Sequence, residues 1–308
     1  MAFPVTSGHP QYAGNFIPEL WAGKLIESFY DATVLAQISN TEYEGMIKAH
    51  GDTVHIRTTP TLTIRDYTKG MTLQVERPDS TPLELLIDKG KYWQAVSDDV
   101  DKVQSDVNLM DVWSKDAAEQ MKIEIDQDVL TNMLPGISAL NQGATAGAKT
   151  ASFNLGTTGA PLTVTKDGAG GTVSITDLVV DIGTVLDEAN CPESDRYLVL
   201  PAKAVGLIKK SELKDASLSG DGSSIMRNGR VGMIDRFTIY MSHNLYTASA
   251  KTNIIAGTKR GLTFASQLTN VETLRAESTF GTLIRGLNVY GYKVVKPEAI
   301  ATAVISFS

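Results

Sequence analysis

NLMDVWSKDAAEQMKIEIDQDVLTNML, residues 108–134, is the stretch on which the fold turns. Apolar residues recur at every fourth position: Leu109, Trp113, Ala117, Met121, Ile125, Val129 and Met133. Each four-residue step turns about 400°, so the row drifts slowly around a helix instead of forming a straight seam. Val112, Ile123, Leu130 and Leu134 broaden it, and Leu134-Pro135-Gly136 is a stop signal. At about 1.5 Å per residue the helix spans roughly 40 Å, the width of a small domain. That length suits a structural beam better than the wall of a pocket. Trp113, Ala117, Met121, Ile125 and Val129 are its expected core face.

On the N-terminal side the period changes from four to two. Val54 and Ile56 alternate with Thr53, His55 and Arg57. Leu62 and Ile64 continue past Pro60, Tyr67-Thr68-Lys69-Gly70 turns, and Met71, Leu73 and Val75 resume the alternation. Leu83, Leu85 and Ile87 follow, then a turn at Asp88-Lys89-Gly90 and a run over Tyr92–Val96. A ribbon of two strands is marginal alone in water, so something must cover it, its own chain or a neighbour. Still earlier, Ile17–Tyr30 reads as a helix with Leu20, Trp21, Leu25, Ile26 and Phe29 on one face and Pro18 in its first turn. It docks either on its own body or on another subunit.

Beyond the beam, Gln142–Gly171 is rich in Gly, Ala and Thr and reads as a surface insertion with little core of its own. Ser174 and Asp177 have the spacing of a capping box, opening a helix whose buried line is Leu178, Ile182, Val185, Leu186 and Ala189. Tyr197–Leu200 is a short buried strand, and Pro201 opens a helix over Ala202–Lys210. Ser211–Asp235 is a long polar loop. Phe237–Met241, Ile254–Ala256, Leu268–Glu277 and Leu283–Val295 read as strands.

Composition narrows the function. The 308 residues are 42% hydrophobic, enough for one large core or two modest ones. A net charge of −7 gives no bulk electrostatic drive toward nucleic acid. Cys191 is the one cysteine, which excludes an internal disulfide framework or a thiolate metal cluster. No apolar run reaches about 20 residues, so no membrane span is expected. The start, MAFPVTSGHPQYAG, lacks the basic and apolar regions of a signal peptide and reads as a partner-dependent arm.

The chemical motifs fail one by one. His9, His50, His55 and His243 form no zinc-binding pair. GATAGAKT at residues 143–150 nearly matches a phosphate-binding loop, but Ala148 stands where a glycine belongs and the strand and helix around it are missing, so it reads as a flexible loop. Asp98, Asp99, Asp101 and Asp106 lack the spacing of a calcium loop and suit a helix N-terminus instead. No catalytic residue, cofactor or metal is assigned.

The order of elements resembles the major capsid proteins of tailed bacteriophages, a fold shared with encapsulin shells. The local text that carries this is Glu44-Gly45, Gly51-Asp52-Thr53-Val54, Asp66-Tyr67-Thr68 with Gly70, Arg196–Pro201, Gly229–Asp235, and Phe280-Gly281 leading to Val289-Tyr290-Gly291. The resemblance spans about Phe16–Val304 and implies an α+β fold. Its parts are an N-terminal arm (1–40), a peripheral domain (41–57 and 94–173) with a spine helix at 108–134 and an insertion at 142–171, an extended β-hairpin loop (58–93), and an axial domain with returning peripheral strands (174–308). It implies contacts between subunits through Trp21, Leu25, Leu62, Ile64, Tyr67, Lys69, Met71 and Leu73. It also implies a shell of hexamers and pentamers around double-stranded DNA, without sequence-specific binding. A separate scaffolding protein, a portal protein at one vertex and a decoration protein are the implied partners. The virion is the implied location, after assembly in the host cytoplasm. Some such shells are crosslinked from Lys to Asn; Lys69 lies near the loop tip, but no Asn partner is assigned. The rival readings are an encapsulin-like nanocompartment, an α/β enzyme with a site under loop 211–235, and a secreted surface or tail-fibre module.

Overall fold

The computed structural model describes residues 33–42, 53–58, 60, 62–80, 82–99, 109–211, 230–276 and 280–307. The expected helix over Ile17–Tyr30, with Trp21 and Leu25, lies outside them, as do Asp101, Asp106 and most of the 211–235 loop.

The body is built on a mixed sheet of eight strands. In spatial order these are β5 (Val173–Ser174), β4 (Leu162–Thr165), β13 (Ile300–Phe307), β10 (Lys251–Thr258), β6 (Arg196–Leu200), β8 (Phe237–Met241) and β7 (Arg230–Ile234), with β9 (Thr247–Ala248) pairing β10. Both faces are covered, so β6 is buried at every position. Its side chains alternate with the two-residue period of a strand. Leu198 and Leu200 enter one core with Ile254, Ala256, Ala301, Ala303 and Ile305. The helices α3 (Ile175–Glu188) and α4 (Ala202–Lys210) close that core. Tyr197, Val199, Ile255 and Ile300 enter a second core on the other face. That face is covered by the short α1 (Leu35–Ile38) and the long α2 (Leu109–Asn132). Ser174 caps α3 as its spacing suggests, its hydroxyl accepting from the Thr176 amide.

A three-stranded antiparallel sheet, β11 (Leu262–Arg275), β12 (Gly281–Val294) and β3 (Lys89–Asp98), extends from this body. α2 lies along one face of it. Lys89 pairs with Asp128 at 3.2 Å and Lys91 with Glu124 at 3.5 Å, which puts the odd positions of β3 toward the helix. Gly286, opposite Trp93, has no room for a Cβ because the indole occupies that space. On the other face the hairpin of β1 (Thr53–Arg57) and β2 (Pro82–Leu86) covers the root of the sheet. Ile56, Leu85 and Ile87 pack there with Ala265, and Val289 lies against them.

Three expectations need correction. The first concerns Gln142–Gly171, which is not an insertion without core. Ala146, Leu155, Leu162 and Val164 are buried in the first core, and β4 is a strand of the main sheet. Low apolar density hid this, since each buried residue is flanked by Gly, Ala or Thr. Nor is 143–150 a flexible loop. The Glu188 carboxylate accepts from the Lys149 amide (2.9 Å), the Thr150 amide (3.1 Å) and the Thr150 hydroxyl (2.8 Å). A carboxylate of the same chain thus takes the amides that a phosphate loop would aim at its ligand.

The second concerns the ribbon. Strand pairing holds its root, where Thr53 to Arg57 face Leu86 to Pro82. Among the described residues from 62 to 80 there is no strand, and β3 belongs to the three-stranded sheet with β11 and β12. The extended loop is therefore 58–81, shorter than the expected 58–93. Alternation alone cannot supply the partner that a ladder needs.

The third concerns the beam's core face. Ile125 and Val129 are buried, and Met121 and Ala117 are half-buried. Trp113 is 37% exposed and is not core in the isolated chain. The four-residue row explains this. From Val129 back to Trp113 it takes four steps, each overshooting a full turn by about 40°, so it has rotated by roughly 160°. Asp99 also departs from the helix-dipole reading, pairing with Arg275 across the end of the sheet.

Candidate assembly surface

The loop over 62–80 exposes apolar side chains that a folded chain ordinarily hides. Ile64 is 92% exposed and Val75 90%, with Leu62, Tyr67, Met71 and Leu73 also open to solvent. The two arms are held by side chains instead of a ladder. Glu76 accepts from the Thr63 amide at 3.2 Å and pairs with Arg65. The Thr63 amide, then Arg65, hold the Glu76 carboxyl below its ordinary range. Ser80 Oγ donates to the Thr58 carbonyl nearer the root. Between the arms lies an open cleft of about 490 Å³, lined by Leu62, Ile64, Tyr67, Met71 and Leu73 among others. Of the residues expected to make subunit contacts, the structure brings Leu62, Ile64, Tyr67, Lys69, Met71 and Leu73 together on this loop, Lys69 in its tip turn.

A second apolar surface was not legible in the sequence. It is the distal part of the three-stranded sheet, on the face away from α2. Cross-strand pairing aligns Tyr92 with Leu287 and Asn270, Gln94 with Arg285 and Glu272, and Val96 with Leu283 and Leu274. Two apolar rows thus flank one charged row, in which Arg285 and Glu272 pair at 2.7 Å. Tyr92 is 79% exposed, and Val96, Leu274 and Leu287 are open as well. Beside them Phe280 is exposed at the hairpin end.

Behind these surfaces stands a stiff polar frame. Asp128 of α2 accepts from Lys89 and, at 2.9 Å, from the Tyr290 hydroxyl, while the Lys89 ammonium lies over the Tyr292 ring at 4.3 Å. Burial works against the Lys89 charge, but the Tyr292 and Asp128 contacts prevail and raise its pKa. Asp126, one helical face away, is 1% exposed. It accepts from the Val34 and Leu35 amides and from Asn244. Burial raises its pKa, and these bonds only partly offset that. On the far side, the buried Arg196 donates to Asp187 at 2.6 Å and to the Cys191 and Pro192 carbonyls. Arg236 joins Asp187 and Glu193, each at 2.9 Å.

The arrangement offers rigidity and apolar contact, with little reactive chemistry. Among the described residues no group of three His, Cys, Asp or Glu side chains is placed to hold a metal. No helix among them is long and apolar enough to cross a membrane. A polar cavity of about 360 Å³ lies between the end of α1, the 192–195 turn and the β10–β11 turn.

Residues 83–303, well over half of the chain, match the model of a family described as phage capsid protein. Among solved structures, one from Mycobacterium phage Che8 is 29% identical, with a TM-score of 0.76 over 94% of this chain and 97% of that one. The capsid structure of the cyanophage P-SCSP1u is 15% identical, with a TM-score of 0.68 over 95% and 93%. The capsid of a native GTA particle is 13% identical, with a TM-score of 0.66 over 96% and 97%. The last two bear on the fold alone. No curated protein matches the sequence.

Proposed function

Because this chain belongs to the phage capsid protein family and is a major capsid protein that forms the head shell of a tailed bacteriophage, we propose that each copy lends its extended loop to a neighbouring copy. The observation that supports this is the exposure of the loop's apolar residues, Ile64 and Val75 above all. Burial of apolar surface stabilises by about 25 cal/mol per Å², and a single chain leaves that gain unused here. The 62–80 backbone likewise has amides and carbonyls that a second chain can pair. In a closed shell, symmetry repeats one such contact many times, so each contact needs only modest strength.

The copies form hexamers and pentamers of one chain. A separate scaffolding protein guides their closure, and a portal protein replaces one pentamer. The shell encloses double-stranded DNA. A net charge of −7 favours a wall along which the duplex slides over one that grips it. Assembly takes place in the host cytoplasm, and the chain's role is structural, not catalytic.

The test replaces the tip, Asp66–Leu73, with a short Gly-Ser turn. The subunit is expected to keep its circular dichroism spectrum and lose closed shells under electron microscopy. Normal shells would remove the loop from the contact. An unfolded subunit would mean that the loop packs on its own chain.

A further inference from the structure

The face of the three-stranded sheet that looks away from α2 is only partly covered by its own chain. Its root lies under the β1–β2 hairpin, where Ile56, Leu85 and Ile87 pack with Ala265 and Val289. Beyond Val289 the same face continues as the row of Tyr92 and Leu287, the row of Gln94, Arg285 and Glu272, and the row of Val96, Leu283 and Leu274. Tyr92, Val96, Leu274 and Leu287 stay exposed. Successive rows are two residues apart along each strand, so the charged row stands about 7 Å from each apolar row. A shallow depression of about 290 Å³ opens at Tyr92, Asn270, Glu272, Arg285 and Leu287, among others.

The extended loop carries the same order of chemistry. Arg65 and Glu76 pair across its arms. Leu62, Ile64 and Val75 are exposed on the root side of that pair, and Tyr67, Met71 and Leu73 on the tip side. Both surfaces therefore read apolar, charged, apolar. Neither ion pair is saturated. Of the five N–H donors in a guanidinium, Arg65 gives Glu76 a bond from Nη2, and Arg285 gives Glu272 bonds from Nε and Nη2. Pairs as open as these add little to the stability of their own chain.

We infer that the distal face of this sheet seats the extended loop of a second copy, with Arg65 set against Glu272 and Glu76 against Arg285. Continuity supports a second copy as the occupant. The root of the ribbon already packs on this face within its own chain, and the rest of the face calls for the same kind of side chain. Charge supports one orientation. Laid this way the four charges alternate in sign. Turning the loop end for end would set Arg65 against Arg285 and Glu76 against Glu272, and like charges at contact oppose docking. The apolar rows supply the contact, and the charged row selects its direction.

The inference rests on the loop lending proposed above, and the test separates the two. In the full-length chain, one variant exchanges the sheet pair, Arg285→Glu with Glu272→Arg, and another exchanges the loop pair, Arg65→Glu with Glu76→Arg. Each keeps its ion pair within the chain, so circular dichroism and melting are expected to match the parent. Each alone should cut the yield of closed shells under electron microscopy at least about tenfold, because like charges now meet between copies. All four substitutions together restore the alternation and should bring the yield back to the parental level. Parental yield from either exchange alone, or no recovery with all four, would overturn the proposal. Parental yield from both exchanges, alongside loss of shells on replacing Asp66–Leu73, would remove the sheet as the seat and leave loop lending standing. Should an exchange fail to fold, Tyr92→Ser with Leu287→Ser carries the test. Both side chains are open in the free subunit, so the fold should survive and closed shells should be lost, and normal shells overturn the proposal.

Discussion

At the scale of single residues, Asp126 also has a thermodynamic signature. Burial raises its pKa above the ordinary value of 3.8 despite three hydrogen bonds to the carboxylate. A carboxyl whose pKa is higher folded than unfolded binds its proton more tightly in the native state. Its contribution to stability is therefore fully present below the unfolded value, near pH 4, and is lost as pH rises through the raised folded value. Asp126→Asn has no such proton. The melting temperature of the parent relative to Asp126→Asn should fall as pH rises from about 3.5 through the raised value, and a constant difference would mean that the pKa is ordinary. Local strain gives another prediction. Ser249 and Ala250 form the turn between β9 and β10 with φ of 50° and 63°, where Cβ is crowded. Ala250→Gly should stabilise the chain by about 0.5–1 kcal/mol in urea unfolding, the relief of strain exceeding the entropy that glycine loses on folding. Neither residue was legible in the sequence. A cap such as Ser174 lies next to the helix it serves, but the partners of Asp126 are 91, 92 and 118 positions away.

At the scale of elements, periodicity was reliable where one element meets one surface. The α3 and α4 helices and the β6 strand stand where their 3.6- and two-residue patterns put them, because each has a single buried line or two fully buried faces. The beam is harder because its surroundings change along its length. Its C-terminal half packs against the second core at Ile125, Val129, Leu130 and Met133, while Trp113 is partly open. A repeated apolar spacing says that a face exists, not that it is covered along its whole length. The consequence is measurable. Leu130→Ala, at a position with no exposure, should cost about 2–5 kcal/mol in the isolated subunit. Trp113→Ala should cost about 1 kcal/mol there despite removing the larger side chain. Equal losses in urea unfolding would show that Trp113 is enclosed by its own subunit. The Gln142–Gly171 segment shows the opposite error. Its core residues are Ala146, Leu155, Leu162 and Val164, too widely spaced to form a period, and only the sheet brings them together.

At the scale of the whole molecule, assembly surfaces and folding core are kept apart. The most exposed apolar side chains, Ile64, Val75, Phe280 and Tyr92, lie on the 62–80 loop and the distal three-stranded sheet, while the central strands of the eight-stranded sheet are covered on both faces. The loop's alternation is plain in the sequence, and among the described residues its apolar side chains stay exposed. The sequence offers no hint of strand order, because β13 pairs with strands far away in the chain: Ile305 faces Leu162, 143 positions away, on one side and Thr252, 53 positions away, on the other. That placement yields a sharp contrast. β13 is internal to the sheet, antiparallel to β10 and parallel to β4, and Ile300, Ala301, Ala303 and Ile305 are buried among both cores. Removing residues 300–308 takes away the strand that joins β4 and β5 to the rest of the sheet, and with it the Ile300 carbonyl that accepts from Asn141 at 3.0 Å. β4 and β10, its two neighbours, then each present an unpaired edge, which in a sheet of this size invites aggregation. The truncated chain is expected to be insoluble or to lack a cooperative melt, although it loses only nine residues. Replacing the eight residues at the loop tip should leave the subunit folded. Circular dichroism and size-exclusion chromatography on the two variants in parallel test the division. A folded, monomeric truncation would mean that the body can close without its internal strand. Loss of fold in both variants would mean that loop and body are one cooperative unit.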